Sequence, residues 1–185
     1  MTKTAQRMLR LMDQATTLWN IPVIGREKGR VIRQLLTRHR PSSAIEIGSL
    51  ICYSAILIAS HLPPGGHLTC VEANEYLARI AKRNAQEAGV GRRVTVMVGD
   101  ALRVIPRLRS RFDFALIDAA KTEYLGYLRR LEPKLRPGAV IVADNTKVFK
   151  RDVKNYLEYV RNGGGYVSRE YDFGFDAMEV SILKG

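Results

Sequence analysis

After Pro41 the chain alternates short β-branched apolar runs with amphipathic segments, and this alternation constrains its fold more than any other feature. The runs are Ala44–Ile47, Leu68–Val71, Val94–Val98, Phe114–Ile117 and Ala139–Ala143. They are not strictly alternating, as expected of strands covered on both faces of a parallel sheet. Helical periodicity fills the intervals over Ser54–Leu62, Glu75–Ala88, Leu102–Leu108, Tyr124–Leu131 and Val153–Val160. Gly89, Gly99 and Gly138 punctuate the boundaries. Two more strand segments, Tyr166–Tyr171 and Met178–Leu183, follow Gly163-Gly164-Gly165 and leave little room for a helix between them. They should pair as a hairpin and put one antiparallel strand in the sheet. The pattern predicts an α/β fold: a doubly wound, mostly parallel seven-stranded sheet of Rossmann-like form with one antiparallel strand.

Ahead of the sheet, Ala5, Met8, Leu9, Met12 and Ala15 recur at helical spacing, as do Val31, Ile32, Leu35 and Leu36. Pro22 breaks the helix between them. A chain of 185 residues suits a single domain over 1–185, with 1–40 as its N-terminal helical cap. No apolar run approaches the roughly 20 residues that span a bilayer. Met1–Asn20 lacks the uninterrupted apolar core of a signal peptide. The expectation is a cytoplasmic protein with no membrane partner. Cys52 and Cys70 have no metal-ligand spacing and fit a reducing compartment.

The formal net charge is +12. Residues 1–45 hold nine basic and two acidic side chains, a net +7, and Arg103, Arg107, Arg109 and Arg111 form a second cluster. A solvated basic surface accounts for this, and so does an anionic partner such as RNA or a phosphorylated substrate.

Ligands of such sheets bind beyond the carboxyl ends of the strands. The first strand leads into Glu46-Ile47-Gly48-Ser49-Leu50-Ile51-Cys52-Tyr53-Ser54, which is not the G-x-G-x-x-G of a nicotinamide site. Gly48 lets backbone approach a ligand, and Ser54 near the next helix start offers donors to a carboxylate. Glu72 closes the second strand, where it can accept ribose hydroxyls, and Asp100 closes the third, where an adenine would lie. Each carboxylate singly fits a helix N-cap. Three acids at three successive strand ends point to a nucleoside without phosphates, and S-adenosylmethionine fits. The fourth strand runs into Asp118-Ala119-Ala120-Lys121 and the fifth into Asp144-Asn145. Two carboxylates and an amide oxygen are hard donors suited to Mg²⁺, which keeps positions open for substrate. Lys121, three residues beyond Asp118, reaches the same space and is a candidate base. A surface lysine and a turn at Asp144-Asn145 are the plainer alternatives.

Taken in order, these motifs resemble the metal-dependent O-methyltransferases that include catechol and caffeoyl-CoA O-methyltransferases. The resemblance runs from about Ile21 to Lys184. It rests on Pro22-Val23 with Glu27-Lys28-Gly29, Glu46-Ile47-Gly48 with Tyr53-Ser54, Val71-Glu72 and Gly99-Asp100-Ala101. It rests also on Asp118 with Lys121 and Tyr124, and on Asp144-Asn145. Asp176 resembles an acidic residue the family carries near its last strand.

The resemblance implies a class I methyltransferase in which Asp118, Asp144 and Asn145 bind a divalent metal, Mg²⁺ foremost. Lys121 would be the general base, with Asp118 beside it in the chemistry. It places Glu72 at the ribose, Glu46, Gly48, Ser49 and Ser54 at the methionine end, and Asp100 and Ala101 near the adenine. Val23 and Asp118 join the cofactor contacts.

Two positions depart from the family pattern: Cys52 stands where glycine is usual, and Ala119-Ala120 where an acidic or histidine residue often contacts cofactor. Weaker cofactor binding is the expectation. Trp19 lies near a substrate-gating tryptophan of the family, and is expected either to wall the acceptor pocket or to pack in the core. The leading expectation is an O-methyltransferase acting on a small molecule with vicinal hydroxyls, as in a catechol. A tRNA-modifying O-methyltransferase of the same family and a non-catalytic cofactor-binding module are its rivals. Association as a homodimer stays open.

Overall fold

The apolar runs become strands because the sheet they build is covered on both sides. In the computed structural model, which describes residues 1–185, β1 (Ser43–Ile47), β2 (His67–Glu72), β3 (Val94–Val98), β4 (Phe112–Ile117) and β5 (Leu135–Ala143) run parallel. β6 (Tyr166–Asp172) and β7 (Ala177–Leu183) form the expected hairpin, and β7 pairs antiparallel with β5 as well. The sheet order is β3-β2-β1-β4-β5-β7-β6. β3, at one edge, is the least buried of the parallel strands, and β1 and β4 at the centre are almost wholly enclosed.

The helices follow their hydrophobic faces. α1 (Lys3–Trp19), α2 (Gly25–His39), α3 (Tyr53–His61) and α4 (Glu75–Glu87) cover one side of the sheet. α5 (Ala101–Val104), α6 (Tyr124–Leu131) and α7 (Lys154–Asn162) cover the other. Successive residues of β1 serve the two cores in turn: Ala44 packs with the first group, Ile45 and Ile47 with the second. In α1, Ala5, Leu9 and Met12 are buried, and in α2 Ile32, Leu35 and Leu36, the faces their spacing predicts. The chain reverses between these helices at Asn20, which adopts the left-handed conformation just before Pro22.

Two boundaries differ from the sequence expectation. The helix expected over Leu102–Leu108 is α only to Val104 and continues as a 3₁₀ turn, Ile105–Arg107. Pro106 has no N–H to extend the α-helical ladder and its ring crowds the preceding turn. β5 begins at Leu135 rather than Ala139, because Leu135 pairs with Phe112 before the register shifts. Arg136-Pro137-Gly138 hides that pairing from any hydropathy pattern. No helix is long and apolar enough to cross a membrane.

Between β1 and β4 the strand order reverses direction, so the connections leave toward opposite faces and open a crevice at the carboxyl ends.

Candidate active site

The crevice is shaped first by the loop after β1. Gly48 has φ +86°, and a Cβ there would collide with the Asp118 carbonyl, so glycine lets the ends of β1 and β4 meet. Cys52 closes the loop as the N-cap of α3 with φ 78°, in the left-handed region that favours glycine. Its side chain is fully buried, so core packing offsets a strain of about 1 kcal/mol. The loop is pinned by Glu72: Oε2 accepts the backbone N–H of Ser49 at 3.0 Å and of Leu50 at 2.9 Å, and Oε1 accepts that of Asn74 at 3.0 Å. A carboxylate has about four acceptor positions, so one remains for a ligand.

A cavity of about 680 Å³ opens above these strand ends. Gly48, Ser49, Ser54 and Glu72 line it on the β1–β2 side, with Val23 contributing from the segment before α2. Asp100 and Ala101 form its β3 end; Asp100 also caps α5 by accepting from Leu102 N–H at 2.8 Å. Asp118, Lys121, Asp144 and Asn145 form the opposite end, and Ala119 and Ala120 line the wall between. Glu46 is not on the wall. It lies fully buried beneath the loop, where Cys70 Sγ donates to Oε2 at 3.2 Å and Oε1 has no partner. Burial outweighs the hydrogen bonds to its carboxylate and pushes its pKa up to about 7.

At the β4–β5 end the charges interlock. Lys121 Nζ donates to Asp118 Oδ1 at 2.7 Å and to the Tyr124 hydroxyl at 2.9 Å, and the latter donates to the Asp144 carbonyl at 3.1 Å. Its ammonium also lies over the rings of Tyr124 and Phe149, at 5.3 and 5.7 Å. Burial, then Asp118 and Asp144, raise the Tyr124 hydroxyl well above its usual pKa, which keeps it a neutral donor. Behind this group Lys28 Nζ stands 2.6 Å from both Asp144 Oδ1 and Asp176 Oδ2. Asn145 Nδ2 donates to Asp176 Oδ2 at 2.7 Å, which leaves the Asn145 amide oxygen free. Burial acts against the Lys28 ammonium, but Asp144 and Asp176 outweigh it and hold its pKa above the usual value. Burial likewise opposes the Asp176 carboxylate, yet bonds from Lys28 and Asn145 bring it to about 2. For Asp144, burial and the nearby Asp118 prevail and raise it to about 6.

Asp144 Oδ1 is buried and, despite its ion contact with Lys28, has no aligned hydrogen-bond partner. With Asp118 and the Asn145 oxygen it makes a set of hard donors that fits a small divalent cation.

The O-methyltransferase family profile matches residues 3–160. The chain belongs to the O-methyltransferase family. Catechol O-methyltransferase of Bos taurus is 32% identical over 175 residues, covering 88% of this chain and 64% of that enzyme. The same enzyme from Sus scrofa is 33% identical over 175 residues, covering 88% of this chain and 93% of its own length. The chain thus spans just under two thirds of the bovine protein. Among solved structures, an O-methyltransferase from Bacillus cereus in complex with SAH superposes with TM-score 0.85 at 25% identity, covering 100% of this chain and 92% of that one.

In this member of the family the structure gathers the candidate cofactor, metal and base residues around one cavity, except Glu46, which it places beneath the floor. Trp19 meets neither expectation: it is 77% exposed, outside both the cavity wall and the core. Sequence reasoning assigned no role to Lys28 or Phe149. Lys28 stands in the quoted Glu27-Lys28-Gly29 segment, but 116 positions separate it from Asp144 and no local pattern joins them.

Proposed function

We propose that the protein is an S-adenosylmethionine-dependent O-methyltransferase that acts, with Mg²⁺ or a similar divalent cation, on a small molecule bearing vicinal hydroxyls. The observation that carries this reading is the convergence of Asp118, Asp144, Asn145 and Lys121 at one end of a cavity whose other end is lined by Glu72, Asp100 and Ala101. The SAH-bound relative and the catechol O-methyltransferase relatives support it.

Glu72 holds the ribose through its remaining acceptor position, and the Gly48–Ser54 loop, pinned by the same carboxylate, receives the methionine end. Asp118, Asp144 and Asn145 would hold a divalent cation, which would supply Lewis acidity to the acceptor hydroxyls. Lys121 Nζ, anchored by Asp118 and Tyr124, acts as the base in its neutral form, giving its own ammonium proton to solvent before it takes the proton of the acceptor hydroxyl. Val23, Ala119 and Phe149 give the cavity apolar surface against which an aromatic acceptor can pack.

The test is transfer of labelled methyl to a catechol panel with Mg²⁺, with EDTA, and with EDTA followed by excess Mg²⁺. EDTA should abolish transfer and Mg²⁺ restore it. Asp144→Ala should lose transfer while retaining cofactor binding. Full activity in EDTA overturns the metal, and no transfer to any catechol overturns the reading as a whole.

A further inference from the structure

A separate cavity of about 340 Å³ opens between α1, α2 and α3, and Tyr53 is the one residue it shares with the cofactor cavity. Arg10 from α1 and Arg26, Arg30 and Arg33 from α2 bring four guanidiniums to it, against the single acid Asp13. Asp13 Oδ2 accepts from Arg26 Nε at 2.7 Å, and Oδ1 accepts from the Tyr53 hydroxyl at 2.9 Å. Arg26 is therefore held and its charge answered. Arg10, Arg30 and Arg33 are exposed and make no ion pair and no side-chain hydrogen bond.

The other surface helices treat their cations differently. Arg79 pairs with Glu75, Arg83 with Glu87 and Lys154 with Glu158, each four residues apart on its own helix. On α2 the residues four and seven positions beyond Arg26 are Arg30 and Arg33, so one face stacks like charges. Like charges at that spacing destabilise a helix by about 0.2–0.5 kcal/mol per pair. A local cost with no compensating partner inside the fold is the mark of a functional surface.

We propose that this cavity is a binding site for a small polyphosphate anion, of which inorganic diphosphate is the simplest. Four cations less one acid leave three positive charges in one hollow, a match for two linked phosphates. Guanidinium forks meet phosphate oxygens two at a time, which an ammonium cannot do. The volume lies near the lower end of small-ligand pockets, about 300–1,000 Å³. A polynucleotide spreads its phosphates along a strand and calls for a track of cations instead.

The test is titration calorimetry in EDTA, which keeps divalent metal off protein and anion alike, with monophosphate, diphosphate and ADP. Diphosphate should bind the wild type at least tenfold more tightly than monophosphate. ADP binding as tightly as diphosphate identifies a nucleotide as the source of the group, and weaker binding identifies free diphosphate. Arg30→Gln/Arg33→Gln should weaken diphosphate binding by about tenfold or more. Arg33→Lys, which keeps the charge and loses the fork, should weaken it by about threefold. Lys150→Ala/Arg151→Ala, in the basic loop between β5 and α7, should bind as the wild type does. The Tm of each variant without ligand checks its fold, and removing like charges from α2 should leave it level or higher.

Equal affinity for monophosphate and diphosphate overturns the proposal. So does an unchanged dissociation constant in the Arg30/Arg33 variant, or an equal loss in the Lys150/Arg151 variant. Single-stranded RNA that displaces diphosphate from the wild type and fails to bind the Arg30/Arg33 variant overturns it in favour of a polynucleotide. The titration uses no methyl acceptor, so its outcome stands apart from that of the transfer assay.

Discussion

Lys28 Nζ lies 2.6 Å from Asp144 Oδ1, placing an ammonium from α2 against the carboxylate that ends β5. Its side chain is only 13% exposed and Asp144 3%, and the same ammonium touches Asp176. A helix of the N-terminal pair thus supplies the counter-charge for two acids that lie far from it in sequence.

Removing that counter-charge leaves two poorly solvated carboxylates unpaired. Breaking such a pair costs about 3 kcal/mol or more, so Lys28→Met should lower Tm by roughly 5–10 °C. Mg²⁺ should then raise the Tm of the variant more than that of the wild type, because a bound cation restores the missing charge. Calorimetry with and without Mg²⁺ checks both. An equal Mg²⁺ response in the two proteins would mean that Lys28 and the cation do not share Asp144.

Glu72 pins the loop after β1 with three of its acceptor positions, and the proposed function gives the remaining one to the ribose. Hydrogen bonds to a charged group contribute about 1.5–3 kcal/mol each. Glu72→Ala should weaken S-adenosylmethionine binding by tenfold or more, the equivalent of about 1.4 kcal/mol or above. Titration calorimetry measures it, and an unchanged dissociation constant would place the nucleoside elsewhere.

Glu46 is a fully buried acid whose pKa stands at about 7 against an ordinary 4.5. Between those values the folded chain holds a proton that the unfolded chain releases, so this residue's contribution to stability falls as pH rises through the window. The penalty is complete above pH 7 and absent below 4.5. Glu46→Gln keeps the shape without the charge. Its advantage over the wild type in urea unfolding should grow by on the order of 2–3 kcal/mol from the bottom of the window to the top. A pH-independent difference between the two proteins would show that Glu46 does not titrate there.

Cys52 and Cys70 are both free and buried, and burial raises both thiols above their usual pKa. The thiolate is the reactive form. Neither should react with an alkylating reagent in the native protein, and both should react in urea, as mass spectrometry will count. Fast native labelling of Cys52 would show that the loop after β1 opens readily.

The strands and most helices were legible because their cause is local. Consecutive apolar residues at Phe114–Ile117 and spaced ones in α1 reflect which faces are buried, whatever lies opposite. The acids at the ends of β1 to β5 were legible for the same reason, since strand ends in a doubly wound sheet share one edge. The sequence alone therefore determined the fold class, the hairpin of β6 and β7, and nearly all of the candidate site. Tertiary structure decided the rest. Depth cannot be read from spacing, so it alone distinguished Glu46 beneath the floor from Glu72 on the wall, and put Trp19 in solvent. Charge pairing across long sequence separations is equally silent in a linear pattern. Lys28 became the partner of Asp144 and Asp176 only when α2 packed beside β5. Electrostatic energy depends on distance in space and on exclusion of water, and the packed fold sets both.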